Sequence, residues 1–260
     1  MKSYLAEIWH VRYFWLSLVK MDLRTRYRRS FLGMGWSLLH PMAMTAILCT
    51  VFHTLLKQPI REYAPFLLAG LATWNYILSA TKDGCQCFFQ GESYIRQYPA
   101  PFAIYPLRTA LGSTVHFLLA LLVTLGLSWY CKGFSNLASL LSLLPAIVLL
   151  FVFAWSLATL SGLANVYFQD TQHLTEVGFQ ILFYATPIIY NVTTLKDNVF
   201  SRYLLYNPLF YILEVIRTPV VEGTLPAFKV YFIACSTVSM TFLVAAWALS
   251  KSQRRLVFHL

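Results

Sequence analysis

Long apolar runs separated by short polar segments dominate the chain. A helix needs roughly 20 apolar residues to cross the hydrocarbon core of a bilayer. Runs at 36–56, 63–80, 107–130, 137–166 and 230–249 come up to that length, and the 137–166 run is long enough to cross at a tilt. A shorter run at 177–190, closing on ATPIIYN, completes six predicted spans. The pattern ahead of the first span is different. Residues 9–29 hold no Pro or Gly, and Leu16, Val19, Leu23 and Tyr27 fall on one stripe at helical spacing with Lys20, Arg24 and Arg28 beside it. Phe14, Leu18 and Met21 lie on another face, so the amphipathicity is partial. This predicts a helix lying in the membrane interface, its basic side toward headgroups.

The segment FSRYLLYNPLFYILEVIRTPVVEG, residues 200–223, is too apolar for an ordinary loop. Asn207-Pro208 divides it, Pro219 stops it, and Arg202, Glu214 and Arg217 make a full crossing costly. Two half-helices over about 199–221 that dip in and return fit better, with Glu214 and Arg217 paired at i, i+3. Two connecting loops also stand out. DGCQCFFQGESYIRQYPAPFAIYPLR is long and broken by Gly and Pro around a short predicted helix at about 92–98, which could dock into a groove on another protein. NVYFQDTQHLTEV is tight and polar, with Asp170, His173 and Glu176. With one neighbouring carboxylate and loop exposure, these are helix-end polar contacts rather than a metal site.

Composition agrees with lipid as the solvent. The chain has 260 residues, 58% hydrophobic and only 12% charged, and a soluble domain carries about twice that charged fraction. The net charge of +10 does not make a nucleic-acid surface, because the basic residues sit beside apolar spans. Their placement sets orientation instead. Residues 1–33, the 82–108 loop and the C-terminal tail carry thirteen Lys and Arg, against seven on the other side, which predicts both termini in the cytoplasm. The first long apolar run starts only near residue 34, so no cleavable signal peptide is expected. The five cysteines are scattered, and Cys85-x-Cys87 lacks a second ligand pair, so they read as small buried hydrophobes.

The sequence holds no G-x-x-x-x-G-K-[ST], G-x-S-x-G or H-E-x-x-H, and acids are nearly absent from the first, third, fourth and sixth spans. That disfavours an ATPase, a membrane enzyme and a proton-coupled carrier alike. It leaves a pathway powered from outside the chain.

DLRTRYRRSFLGMGWSLLHP, VYFQDTQHLTEVGFQILFYATPIIY and YNPLFYILEVIRTPVVEG, in that order, resemble the permease subunits of type 2 ABC transporters that export O-antigen, capsule or teichoic-acid polysaccharide. The resemblance runs from about residue 10 to 250 and is specific to the family rather than to a substrate. It implies an all-α membrane protein: one transmembrane domain over 1–260, with an interface helix at 9–29, six spans and a re-entrant pair of gate helices at 199–221. It implies a homodimer in the bacterial inner membrane with two copies of a separate nucleotide-binding subunit. ATP and Mg would bind that partner, with no cofactor on this chain. Coupling would fall to a helix near 90–100, with Glu92, Tyr94, Arg96 and Tyr98, and to the turn carrying Gln169, Asp170 and His173. The family's channel is lined mainly by the first and fifth spans, which here hold Trp36, Phe52, Phe179, Phe183, Tyr184 and Tyr190. Aromatic rings stack weakly on sugar faces, so a glycan could slide past them; each ring could equally face lipid or core. His40 and His53, at the two ends of the first span, read as packing or interfacial residues. Arg28 and Arg29 either hold the topology or meet the phosphate of a lipid-linked glycan. A drug or small-lipid exporter on the same scaffold, or a membrane-embedded enzyme of glycan assembly, is the alternative.

Overall fold

The computed structural model describes residues 2–28, 33–56, 59–98, 100–133, 137–191 and 206–256. The described residues form helices joined by short turns, with no strand among them. In chain order these are α1 (Lys2–His10), α2 (Arg12–Tyr27), α3 (Trp36–Leu56), α4 (Ile60–Cys85), α5 (Cys87–Gln97), α6 (Ile104–Lys132), α7 (Leu137–Leu141), α8 (Leu143–Tyr167), α9 (Thr171–Ala185), α10 (Pro208–Arg217) and α11 (Phe228–Leu256). Among the described residues, three helices are long and apolar enough to cross a membrane: Ile104–Lys132, Ala138–Tyr167 and Phe228–Gln253, with Leu38–His53 a shorter apolar helix. Ile60–Cys85 falls outside that set, and its ends carry Arg61, Glu62, Lys82 and Asp83.

Several boundaries differ from the sequence reading. The N-terminal helix begins at Lys2 rather than residue 9 and breaks at Val11, so it is two helices. The 137–166 run forms one membrane-length helix, Ala138–Tyr167, with an irregular turn at Ser142 between α7 and α8. The helix expected at 177–190 is shifted to Thr171–Ala185, because Pro187 restricts the backbone just ahead of it and ends the helix. The loop helix spans Cys87–Gln97, and of the expected 199–221 pair only the part from residue 206 is described.

α4 is the central helix. It packs against α3, α6, α8, α9 and α10, and residues from Tyr63 to Cys85 are buried on most of its circumference. Its close approach to α8 depends on small residues: a Cβ on Gly84 would lie 2.6 Å from the Ala158 Cα. The crossing is then sealed by polar side chains of α8 that bond carbonyls in the last turns of α4. Ser161 Oγ donates to the Thr81 carbonyl at 2.8 Å, and Asn165 Nδ2 to the Cys85 carbonyl at 2.9 Å. Tyr76, Phe117, Leu150, Phe153, Ile212 and Val215 fill the core between α4, α6, α8 and α10.

α10 starts as its sequence demands. Asn207 is the N-cap, its Oδ1 accepting from the Leu209 N–H at 3.0 Å, and Pro208 takes the first helical position, where no N–H is needed. A wider helical turn over Thr218–Glu222 follows and ends on Gly223 at φ +65°, a left-handed conformation suited to glycine.

Candidate functional site

The basic face comes first. Lys20, Arg24 and Arg28 are spaced at i, i+4 along α2 and all are exposed, forming one cationic stripe. Two other charges on the same helix are engaged. Asp22 accepts both Nε and Nη2 of Arg108, which is buried at the start of α6, and Arg26 lies 3.3 Å from Asp83 at the end of α4. The helix is thus bolted to α4 and α6 while its Lys20–Arg24–Arg28 face stays open. Arg29 lies outside the described residues.

The coupling candidates divide. Glu92 and Arg96 pair with each other at 2.9 Å on α5, the arginine exposed and the glutamate half-buried. Tyr94 and Tyr98 turn the other way: each ring centroid is 5.8 Å from that of Phe14 on α2. α5 lies flat on α6 because Gly91 has no side chain; a Cβ there would enter the ring of buried Tyr105. Gln169, Asp170 and His173 are exposed in and after the turn between α8 and α9. Asp170 sits at the N-cap of α9 without a side-chain cap bond. Among the described residues no cluster of metal-ligating side chains occurs, Asp170 and His173 included.

The structure brings the two loops together, a pairing between segments some 90 residues apart in the chain. Lys82 Nζ lies 2.6 Å from Glu176 Oε1, Gln86 Nε2 donates to Gln172 Oε1 at 2.6 Å, and Cys85 Sγ is 3.8 Å from Thr175 Oγ1. The corner between α4 and α5 is thereby tied to the first turns of α9.

The aromatic candidates also divide. Trp36 and Tyr184 are exposed. Phe179 and Phe183 are half-buried against Trp74 of α4, at centroid distances of 5.5 and 5.9 Å, and Phe52 lies 5.9 Å from the ring of Tyr63. Tyr190 stands past the end of α9, its hydroxyl donating to the Tyr184 carbonyl at 3.2 Å. Half of the candidate rings therefore brace α4. His40 and His53 are both exposed. Two faces remain open: Leu39, Met42, Ile47 and Val51 on α3, and Leu174, Val177, Ile181 and Tyr184 on α9, which has no buried residue at all.

At the far end α10 is latched. The Glu214–Arg217 pair is present at 3.1 Å. Arg217 also donates to the carbonyls of Pro187 and Ile188, both at 3.1 Å, and its guanidinium covers the Phe66 ring at 3.9 Å. Asn207 Nδ2 bonds the Ala185 carbonyl and Thr186 Oγ1, so both ends of α10 grip the segment after α9.

The described residues form an all-helical bundle with three helices long and apolar enough to cross a membrane, and its family match makes it a transport component. The chain belongs to the ABC-2 type transporter family, whose model matches residues 13–220. It is similar to an O-antigen export system permease protein of Myxococcus xanthus, at 26% identity over 252 residues and 95% of each chain. An O-antigen export system permease protein of Klebsiella pneumoniae is 26% identical over 209 residues, 80% of each chain. The polysialic acid transport protein of Escherichia coli is 21% identical over 209 residues, 80% of this chain and 81% of that one.

Proposed function

We propose that this chain is the membrane subunit of an ATP-driven exporter that carries a lipid-linked polysaccharide out of the cytoplasm across the bacterial inner membrane. The observation that carries this reading is coverage: polysaccharide export permeases match the chain over 80 to 95% of its length. The open apolar faces of α3 and α9 suit a second copy of the chain, giving a homodimer with six spans per subunit and all four termini in the cytoplasm. Two copies of a nucleotide-binding subunit supply ATP and Mg and dock on the α4–α5 corner and the 168–173 turn. Arg96, Gln169, Asp170 and His173 are exposed there, and Glu92 is half-buried beside Arg96. Tyr94 and Tyr98 pass the movement of α5 to α2 through Phe14.

Phosphate groups of the substrate meet the Lys20–Arg24–Arg28 stripe and Arg29 at the inner leaflet. The glycan then slides between the two subunits past Trp36 and Tyr184, whose exposed rings bind sugar faces weakly enough to let go. Phe52, Phe179, Phe183 and Tyr190 shape the wall behind them. α10 closes the outer end until its grip on the segment after α9 is released.

The test is export by cells that make Arg28→Ala, Arg29→Ala and the double variant. Surface glycan falls while the complex still assembles, and Lys at either position restores it in part, less if the guanidinium binds phosphate with two donors. Unchanged export by the double variant would leave these arginines with topology alone.

A further inference from the structure

A cavity of about 280 Å³ opens between α3, α4 and α6, behind the interface helix. Its wall carries Asn75 and Ser79 from α4, Ser113 and His116 from α6, Trp36 from α3, and Arg26 at the mouth. Asn75 is eight residues from Asp83 along α4, and His116 eight from Arg108 along α6, so the polar wall reaches about 12 Å below the charged ends of these helices. Polar side chains at that depth are costly in a bilayer and are kept where something polar passes or rests. Ser113 is only 4% exposed and its hydroxyl has no hydrogen-bond partner, so the protein folds with a donor buried and unused.

Among the described residues no carboxylate lines the cavity. The groups are an amide, hydroxyls, an indole, two imidazoles and a guanidinium, all able to donate, and the guanidinium is the one fixed charge. A cation would find no counter-charge. An anion rich in acceptor oxygens fits. Arg26 is already engaged by Asp83 at 3.3 Å on one nitrogen, which leaves its other donors for that anion. We propose that this cavity is a phosphate site for the phosphate or diphosphate of a lipid that reaches it from the α2 side. It deepens the export reading and rests on it, because it gives the phosphate of a lipid-linked substrate a seat within one subunit, behind the Arg28 stripe. The Ser113 hydroxyl finds its partner only when the site is filled.

The test uses the full-length chain in phosphatidylcholine nanodiscs, with labelled farnesyl diphosphate as probe. Asn75→Leu and Ser113→Ala each weaken binding roughly tenfold, as the loss of one hydrogen bond to a charged group would. Ser113→Ala also raises the melting temperature of the unliganded protein, since it removes a buried hydroxyl that nothing satisfies. Competition identifies the source of the phosphate. If unlabelled farnesyl diphosphate alone displaces the probe, the site takes prenyl phosphates; if phosphatidylglycerol does so equally, it takes membrane headgroups; if inorganic pyrophosphate suffices, it takes the anion itself. Binding that is insensitive to both cavity variants, or lost only in Arg28→Ala, overturns the proposal and puts the anion on the outer face of α2. That failure would leave export untouched, whereas intact binding with no export in transport vesicles would overturn the export reading alone.

Discussion

Arg217 of α10 stands with its guanidinium 3.9 Å above the ring of Phe66 on α4, holding α10 against the centre of the bundle. Its partners are Glu214 on one side and the carbonyls of Pro187 and Ile188 on the other. Gly70 provides the room, since a Cβ there would collide with the guanidinium. Arg217→Met leaves Glu214 half-buried without its counter-charge and should destabilise the purified protein by about 3 kcal/mol. Arg217→Lys keeps the charge but not the fork and should fall between. Denaturant unfolding monitored by tryptophan fluorescence reads both, and an Arg217→Met variant as stable as the parent would show that the latch holds nothing.

The Asp22–Arg108 pair fixes the interface helix to α6, and Arg108 keeps one buried nitrogen without a partner even so. Asp22→Asn should therefore cost about 2 kcal/mol, and adding Arg108→Gln should cost little more, because both changes break one pair. A double-mutant cycle on thermal stability checks this. Additive losses would mean the two residues act separately.

Gly91 lets α5 lie against Tyr105. Gly91→Val lifts that helix and strains the interface by about 1–3 kcal/mol. Export should fall while membrane insertion is unchanged and partner ATPase activity continues, because the Phe14 contacts of Tyr94 and Tyr98 move with α5. Parallel export and ATPase measurements on the same variant decide; full export would separate α5 from coupling.

These relations differ in how far the sequence foretold them. Apolar run length marked the helices at 36–56, 107–130 and 230–249, because a bilayer imposes a length that composition must meet. The Glu214–Arg217 pair was legible too, since i, i+3 spacing on a helix is local. The anchors of Arg217 on Pro187 and Ile188 were not, nor was Asp22–Arg108, because nothing in a run of residues says which distant helix it will face. The aromatic rings show the same limit. Phe179 and Phe183 were as eligible for the channel as Tyr184, and only the packing on Trp74 separates them. One signal was present and passed over: Asn75, Ser79, Ser113 and His116 interrupt otherwise apolar spans, and polar residues at that depth ask for a reason.

The central claim is transport of a lipid-linked glycan powered by a partner ATPase. Inside-out inner-membrane vesicles from cells with and without this chain, loaded externally with radiolabelled lipid-linked glycan, measure it directly. With the chain, its ATPase and ATP present, label becomes protected from added glycosidase inside the vesicles, and it stays accessible when the chain or ATP is omitted. Equal protection in vesicles lacking the chain would contradict the account.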